Sequence, residues 1–217
     1  QIKYKALIVP SALICYGLIG LKNQDVQRIN TDTHYEIKEH IDHRLTIDDF
    51  SQYSPAIAVY GLNSFGINGK NRFKERTIIL ATAYLLMATT VTSLKYTTRV
   101  ERPDGSSMNS FPSGHTATAF LSAEFLYQEY KHESIWYGIA GYAVAAGTGY
   151  FRMYNNRHWF TDVATGAGIG ILSTKAAYWL YPKIMQFVYK KKKQKNAAIL
   201  LPFYSDKQFG MCTLYRF

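Results

Sequence analysis

Six apolar blocks alternate with polar connectors along the chain: Ala6–Leu21, Pro55–Ile67, Thr77–Leu94, His115–Tyr127, Ile135–Phe151 and Val163–Tyr181. Their lengths suit helices better than strands. The third block is the clearest, with 18 residues, no charge and much Ala, Leu and Thr. It comes close to the length needed to cross a bilayer. The fifth and sixth blocks carry Gly138, Gly141, Gly147, Gly149, Gly166, Gly168 and Gly170. Small residues at such spacings let helices pack closely, as they do in membrane bundles. The plainer alternative is a large soluble helical core.

Two stretches fall outside this alternation. Between Asp32 and Asp49, Ile37, Ile41 and Leu45 recur every fourth residue among charged neighbours, the pattern of an amphipathic surface helix. It gathers His34, His40 and His43 with Glu36, Glu39 and Asp42, but these do not share a face, so solvated side chains are expected and no metal site. At the other end, Ile199–Tyr204 and Phe209–Phe217 flank Ser205-Asp206-Lys207 and predict a hairpin. The expected fold is all-α: a membrane-embedded bundle of about six helices with a short C-terminal β-hairpin. The expected division is a helical domain over 1–195, its motif-bearing core at 77–181, and an accessory tail over 196–217.

Composition sharpens this in two ways. With 47% apolar and 18% charged residues the chain has ample material for a core, and disorder is excluded. A formal charge of +10 points to anionic partners. The two cysteines, Cys15 and Cys212, form neither a disulfide framework nor a metal-ligand spacing. The chain begins at Gln1, so removal of a leader or tag fits.

Evidence on membrane insertion pulls both ways. Mean hydropathy is −0.16, and Glu124 and Lys175 interrupt the fourth and sixth blocks. Against that, alternate crossing puts Lys3 and Lys5, then Lys70, Arg72, Lys74 and Arg76, then Lys131 and the Lys190–Lys193 run on the same side. The acid-rich loop 22–54 falls on the other side, in agreement with the positive-inside rule. The Lys190–Lys195 run lacks interleaved aromatics and reads as a membrane-flanking stop, so no nucleic-acid partner is expected.

Candidate chemistry sits at the block ends. The third block ends in Lys95 and, shortly after, Arg102-Pro103; the fourth opens with Pro112-Ser113-Gly114-His115; Arg152, His158 and Asp162 lie between the fifth and sixth. Antiparallel neighbours bring these three clusters to one end of the bundle. Ser113 is a good N-cap, and the free N–H groups of the helix start beyond it favour an anion. Lys95, Arg102 and Arg152 suffice to neutralise a phosphoryl dianion. Asp162, four residues after His158, is spaced to accept from its Nδ1 and leave Nε2 as nucleophile. His115 is then placed to protonate a leaving oxygen.

Taken together, the clusters resemble the type 2 phosphatidic acid phosphatase (PAP2) superfamily, which includes vanadium haloperoxidases. The family pattern is Lys-x6-Arg-Pro, Pro-Ser-Gly-His and Ser-Arg-x5-His-x3-Asp, and ten of its eleven positions agree here. The departure is Phe151 in place of Ser. The resemblance covers about Thr77 to Tyr181. It implies a helical bundle and a phosphohistidine mechanism needing no cofactor or metal. His158 attacks, Asp162 orients it and His115 protonates the leaving group, while Lys95, Arg102, Ser113, Gly114 and Arg152 hold the phosphate.

The apolar blocks add the substrate class: a phosphomonoester or diphosphate on a lipid, such as phosphatidate, phosphatidylglycerol phosphate, polyprenyl diphosphate or a lipid A type. The charge bias sets the site on the periplasmic face of a bacterial inner membrane. A soluble or peripheral periplasmic acid phosphatase of broad specificity is the alternative, and a vanadate-dependent haloperoxidase a more distant one.

Overall fold

The structure is a computed structural model that describes residues 4–38, 46–193, 197–205 and 208–216. Among the described residues the helices are α1 (Lys5–Gly20), α2 (Gln24–Lys38), α3 (Ile47–Ser51), α4 (Ser54–Ser64), α5 (Phe73–Thr98), α6 (Gly114–Tyr130), α7 (Ile135–Tyr154) and α8 (Phe160–Lys193). Two strands follow, β1 (Ala197–Ser205) and β2 (Gln208–Arg216). The chain divides into two compact units, Gln1–Trp179 and Leu180–Phe217.

All six apolar blocks are helical, so the helical fold is as expected. Outside the blocks lie α2, which covers the first part of the expected amphipathic helix, and the short α3. Helix α2 starts well before Asp32 because the Asn23 side chain caps it, accepting from the backbone N–H of Asp25 and Val26 at 3.0 and 3.1 Å. The periodic Ile41 and Leu45, and His40, His43, Glu39 and Asp42, lie outside the described residues. The hairpin forms: β1 and β2 pair antiparallel, with Tyr204 opposite Phe209 and Ala197 opposite Arg216.

In the first unit α6 is the central element, with Leu121, Phe125 and Tyr130 fully buried along it. The close approach of α8 to α6 depends on two glycines. A Cβ on Gly166 would meet the Ser113 carbonyl oxygen at 2.5 Å, and one on Gly170 would run into the Ala117 carbonyl. The start of α6 is thereby pressed against the start of α8.

The two charges that interrupt the apolar blocks answer each other. Lys175 Nζ lies 2.6 Å from Glu124 Oε1, and Gln128 and Tyr142 also donate to that carboxylate. Glu129, fully buried one turn further on, accepts from the backbone and side chain of Asn71 and from Tyr178. Glu124 is thus a paired interior charge, and Glu129 an interior carboxylate held by neutral donors. Arg76 likewise is buried, donating to Asn63 Oδ1 and the Asn71 carbonyl, so it is spent inside the fold and not on a connector.

Helix α5 is the one helix among the described residues that is long and apolar enough to cross a bilayer, and most of its apolar window is not covered by protein. Helices α1 and α2 pass the same test as a pair, although they bend by 97°. Leu85 on α5, Ile8 and Val9 on α1, and Trp136 on α7 are all exposed.

Candidate active site

The site forms where α5 ends and α6 and α8 begin. Helix α5 closes on Arg99, whose φ of 46° turns the chain sharply into the loop carrying Arg102 and Asn109. Asn109 organises that loop. Its carbonyl accepts from Lys95 Nζ at 2.5 Å, and its Oδ1 accepts from Arg102 Nε at 3.0 Å and from Ser107 Oγ at 2.9 Å. One asparagine therefore holds both cations of the first motif.

Ser113 is the N-cap of α6, as expected. Its hydroxyl accepts from the Thr116 N–H at 3.4 Å and from Thr116 Oγ1 at 2.9 Å, and the residue is wholly buried. Asp162 ties this turn to the start of α8. Its carbonyl accepts from Ser113 N at 3.0 Å, and its Oδ2 accepts from Ser110 Oγ at 2.5 Å and from the Trp159 N–H at 2.9 Å. Asn30 of α2 supplies the cap that α8 lacks in its own sequence. Its Oδ1 accepts from Thr161 N at 3.1 Å while its Nδ2 donates to Thr161 Oγ1 at 2.9 Å.

His158 is 3% exposed and its Nδ1 lies 3.5 Å from Asp162 Oδ2. That is an ion-pair distance and not a hydrogen bond, and Nδ1 has no hydrogen-bond partner. The spacing of four residues predicts a tighter contact if both residues sit on one helix. Here α8 begins only at Phe160, and Ser110 and Trp159 take the facing carboxylate oxygen. Burial lowers the His158 pKa to about 4, against the opposing pull of Asp162 and with help from the Lys95 and Arg152 charges. The imidazole is therefore neutral at pH 7, the form a nucleophile requires.

Arg102, His115 and Arg152 line one cleft of about 330 Å³, together with Thr46, Asp49 and Arg157. The structure thus gathers the three motifs, while adding two acids that were not singled out from the sequence. Asp48 of α3, 1% exposed, accepts from Arg152 Nη1 and, at 3.3 Å, from Asn155 Nδ2. Asp49, half exposed, lies 3.0 Å from His115 Nε2 and 3.6 Å from Arg152 Nη1. Burial, and after it the Arg152 charge, lowers the His115 pKa, while Asp49 and Asp48 pull it upward. Arg157 is matched separately, by Asp104 at 3.1 Å.

Five buried side-chain polar atoms among the described residues have no hydrogen-bond partner: Arg76 Nη1, Arg152 Nε, Asn156 Oδ1, His158 Nδ1 and Asp162 Oδ1. Four of them fall between Arg152 and Asp162, where polar satisfaction has been given up. No group of three or more His, Cys, Asp or Glu converges as a metal-ligand set among the described residues.

The sequence model described as the PAP2 superfamily matches residues 76–186, just over half of the chain. A lipid A 1-phosphatase from Porphyromonas gingivalis is 39% identical over 158 residues, which is 70% of this chain and 36% of that protein. The bacitracin transport permease protein BcrC of Bacillus licheniformis is 34% identical over 92 residues, 40% of this chain and 43% of that one. The chain thus spans well under half the length of these curated relatives. Among solved structures, Aquifex aeolicus LpxE aligns with a TM-score of 0.52 at 25% identity, covering 69% of this chain and 94% of that one. A transmembrane PAP2 type phosphatidylglycerolphosphate phosphatase from Bacillus subtilis aligns at 0.51, covering 82% and 98%; at 22% identity this likeness speaks for the fold alone.

Proposed function

The chain belongs to the PAP2 superfamily, and on that premise we propose that it is a metal-independent phosphatase acting on a lipid-linked phosphate through a phosphohistidine. The observation that carries this is the convergence of Arg102, His115 and Arg152, one from each motif, on a single cleft, with the buried His158 feeling the Lys95 and Arg152 charges. Phosphoryl transfer asks the protein mainly for positioning and charge stabilisation.

In the first step the lone pair of His158 Nε2 forms an N–P bond. The P–O bond to the leaving group breaks, and the leaving oxygen takes a proton from His115. In the second step a water oxygen attacks phosphorus and gives its proton to His115, while the N–P bond breaks and returns the electron pair to His158. Lys95, Arg102, Arg152 and the start of α6 at Gly114 hold the non-bridging oxygens, while Ser113, expected from the sequence to join them, is wholly buried and spent on capping that start. Asp162 stabilises the imidazolium that forms at His158.

A lipid substrate and a bacterial membrane location are part of the proposal. They are supported by the uncovered apolar length of α5 and by the names of the relatives, a lipid A 1-phosphatase and a transport permease protein. The test is phosphate release by the purified protein from a panel of lipid and water-soluble phosphates, with trapping of an acid-labile phosphoenzyme. Release with His158→Ala retaining most of the activity would overturn the mechanism. Extraction of the chain from membranes by a carbonate wash would overturn the embedding.

A further inference from the structure

The two acids of α3 are not equivalent, and the difference bears on which substrates the cleft takes. Asp48 is buried and spent on Arg152 and Asn155. Asp49 is half exposed in the cleft, with Oδ1 3.0 Å from His115 Nε2. The phosphatase mechanism proposed above, on which this inference rests, has His115 give its proton to the leaving oxygen. The leaving group therefore arrives beside Asp49.

We infer that Asp49 selects the leaving group by charge, favouring a phosphomonoester, which departs as an uncharged alcohol, over a diphosphate, which departs as a phosphate anion. The cations of the site offset this only in part. In the mechanism above Lys95, Arg102 and Arg152 hold the transferred phosphoryl group, and Arg157 is already matched by Asp104. Once protonated, as the transfer requires, His115 is the cation nearest Asp49, and its proton then passes to the leaving oxygen. A departing anion would then face a carboxylate that has lost its nearest partner and keeps only a share of Arg152, which Asp48 holds more closely. An alcohol meets no such repulsion and can donate its new O–H to the same carboxylate. The repulsion develops as the proton leaves His115, so it appears in kcat/KM.

A matched pair of substrates isolates the effect: farnesyl phosphate and farnesyl diphosphate share a tail and differ in the charge of what departs. Phosphate release is measured for both with the detergent-purified full chain and with Asp49→Asn and Asp49→Glu. Asp49→Asn, which keeps an acceptor for His115, is expected to shift the ratio of kcat/KM values toward the diphosphate on the order of tenfold relative to the wild type. Asp49→Glu is expected to keep the wild-type ratio, since it keeps the charge. A general loss of activity in a variant cancels in the ratio. A ratio that Asp49→Asn leaves within about twofold, or shifts toward the monoester, overturns the inference and leaves the phosphatase assignment standing. Absence of release from both substrates by the wild type overturns the assignment and the inference with it.

Discussion

Asp48 of α3 and Arg152 of α7 form a buried ion pair, with Arg152 Nη1 donating to Asp48 Oδ2 and both side chains nine-tenths or more removed from solvent. The acid comes from outside the segment matched by the family and the base from inside it. Removing Asp48 strands a buried guanidinium. Asp48→Ala is therefore expected to cost about 3 kcal/mol or more of stability, whereas Asp49→Ala, half exposed, should cost less than about 1 kcal/mol. Unfolding in detergent, followed by circular dichroism, compares the two directly. Equal losses would mean that the Asp48–Arg152 pair carries no special weight.

The roles proposed for the two histidines separate in kinetics. His158→Ala should remove both turnover and the phosphoenzyme. His115→Ala should slow leaving-group departure by roughly 10²–10⁴-fold, and the loss should shrink for substrates whose leaving group is already acidic, such as p-nitrophenyl phosphate. A uniform loss across leaving groups would remove His115 from the acid role.

Ser110 is a positioning residue for Asp162, since its hydroxyl donates to the carboxylate at 2.5 Å in a fully buried setting. Ser110→Ala should lower kcat on the order of tenfold, the worth of one hydrogen bond to a charged group, with KM little changed. Ser113→Ala, in contrast, should act on stability by about 1 kcal/mol through the lost cap. A KM effect without a kcat effect in Ser110→Ala would argue that Ser110 acts on binding.

His158 also sets a pH window for stability. Its folded-state pKa is lowered to about 4, against an ordinary value of 6.5. Between those values the unfolded chain takes up a proton that the folded chain refuses. The stability is fully present above pH 6.5 and is lost as pH falls toward 4, with a slope of up to about 1.4 kcal/mol per pH unit. His115, also lowered by burial, works in the same direction. Tm measured from pH 7 to 4 should fall more steeply for the wild type than for His158→Gln; parallel curves would contradict the assignment.

The α6–α8 contact makes a packing prediction. Gly166→Ala places a methyl group 2.5 Å from the Ser113 carbonyl and should destabilise by about 1–3 kcal/mol. It should also lower activity, because Ser113 opens the turn that carries His115. Gly147→Ala, with open space around the new Cβ, is expected to be neutral or slightly stabilising. Equal behaviour of the two variants in a Tm and phosphate-release comparison would sink this account.

The helices and the three motifs were legible because each has a local signature: uninterrupted apolar length for α5, Pro-Ser-Gly-His for the start of α6, fixed spacing for Arg152, His158 and Asp162. What escaped is long-range. Asp48 and Asp49 look like surface acids in an acid-rich loop, and only tertiary packing sets them against Arg152 and His115, more than a hundred and some sixty positions away. Asn109 and Ser110 had no motif of their own, although they hold Lys95, Arg102 and Asp162. Glu124 and Lys175 read as interruptions because each was seen alone, and the pairing between two helices is invisible along one chain.

The Asn30–Thr161 bridge has a consequence for how the protein can be cut. The amide of α2 supplies both the acceptor for an α8 N–H and the donor for the Thr161 hydroxyl, one residue ahead of Asp162. A fragment trimmed to residues 76–186 would retain all three motifs and lose this brace together with Asp48 and Asp49. The motif-bearing segment is therefore not a portable cassette: its histidines are held in working order by a clasp that the first fifty residues provide.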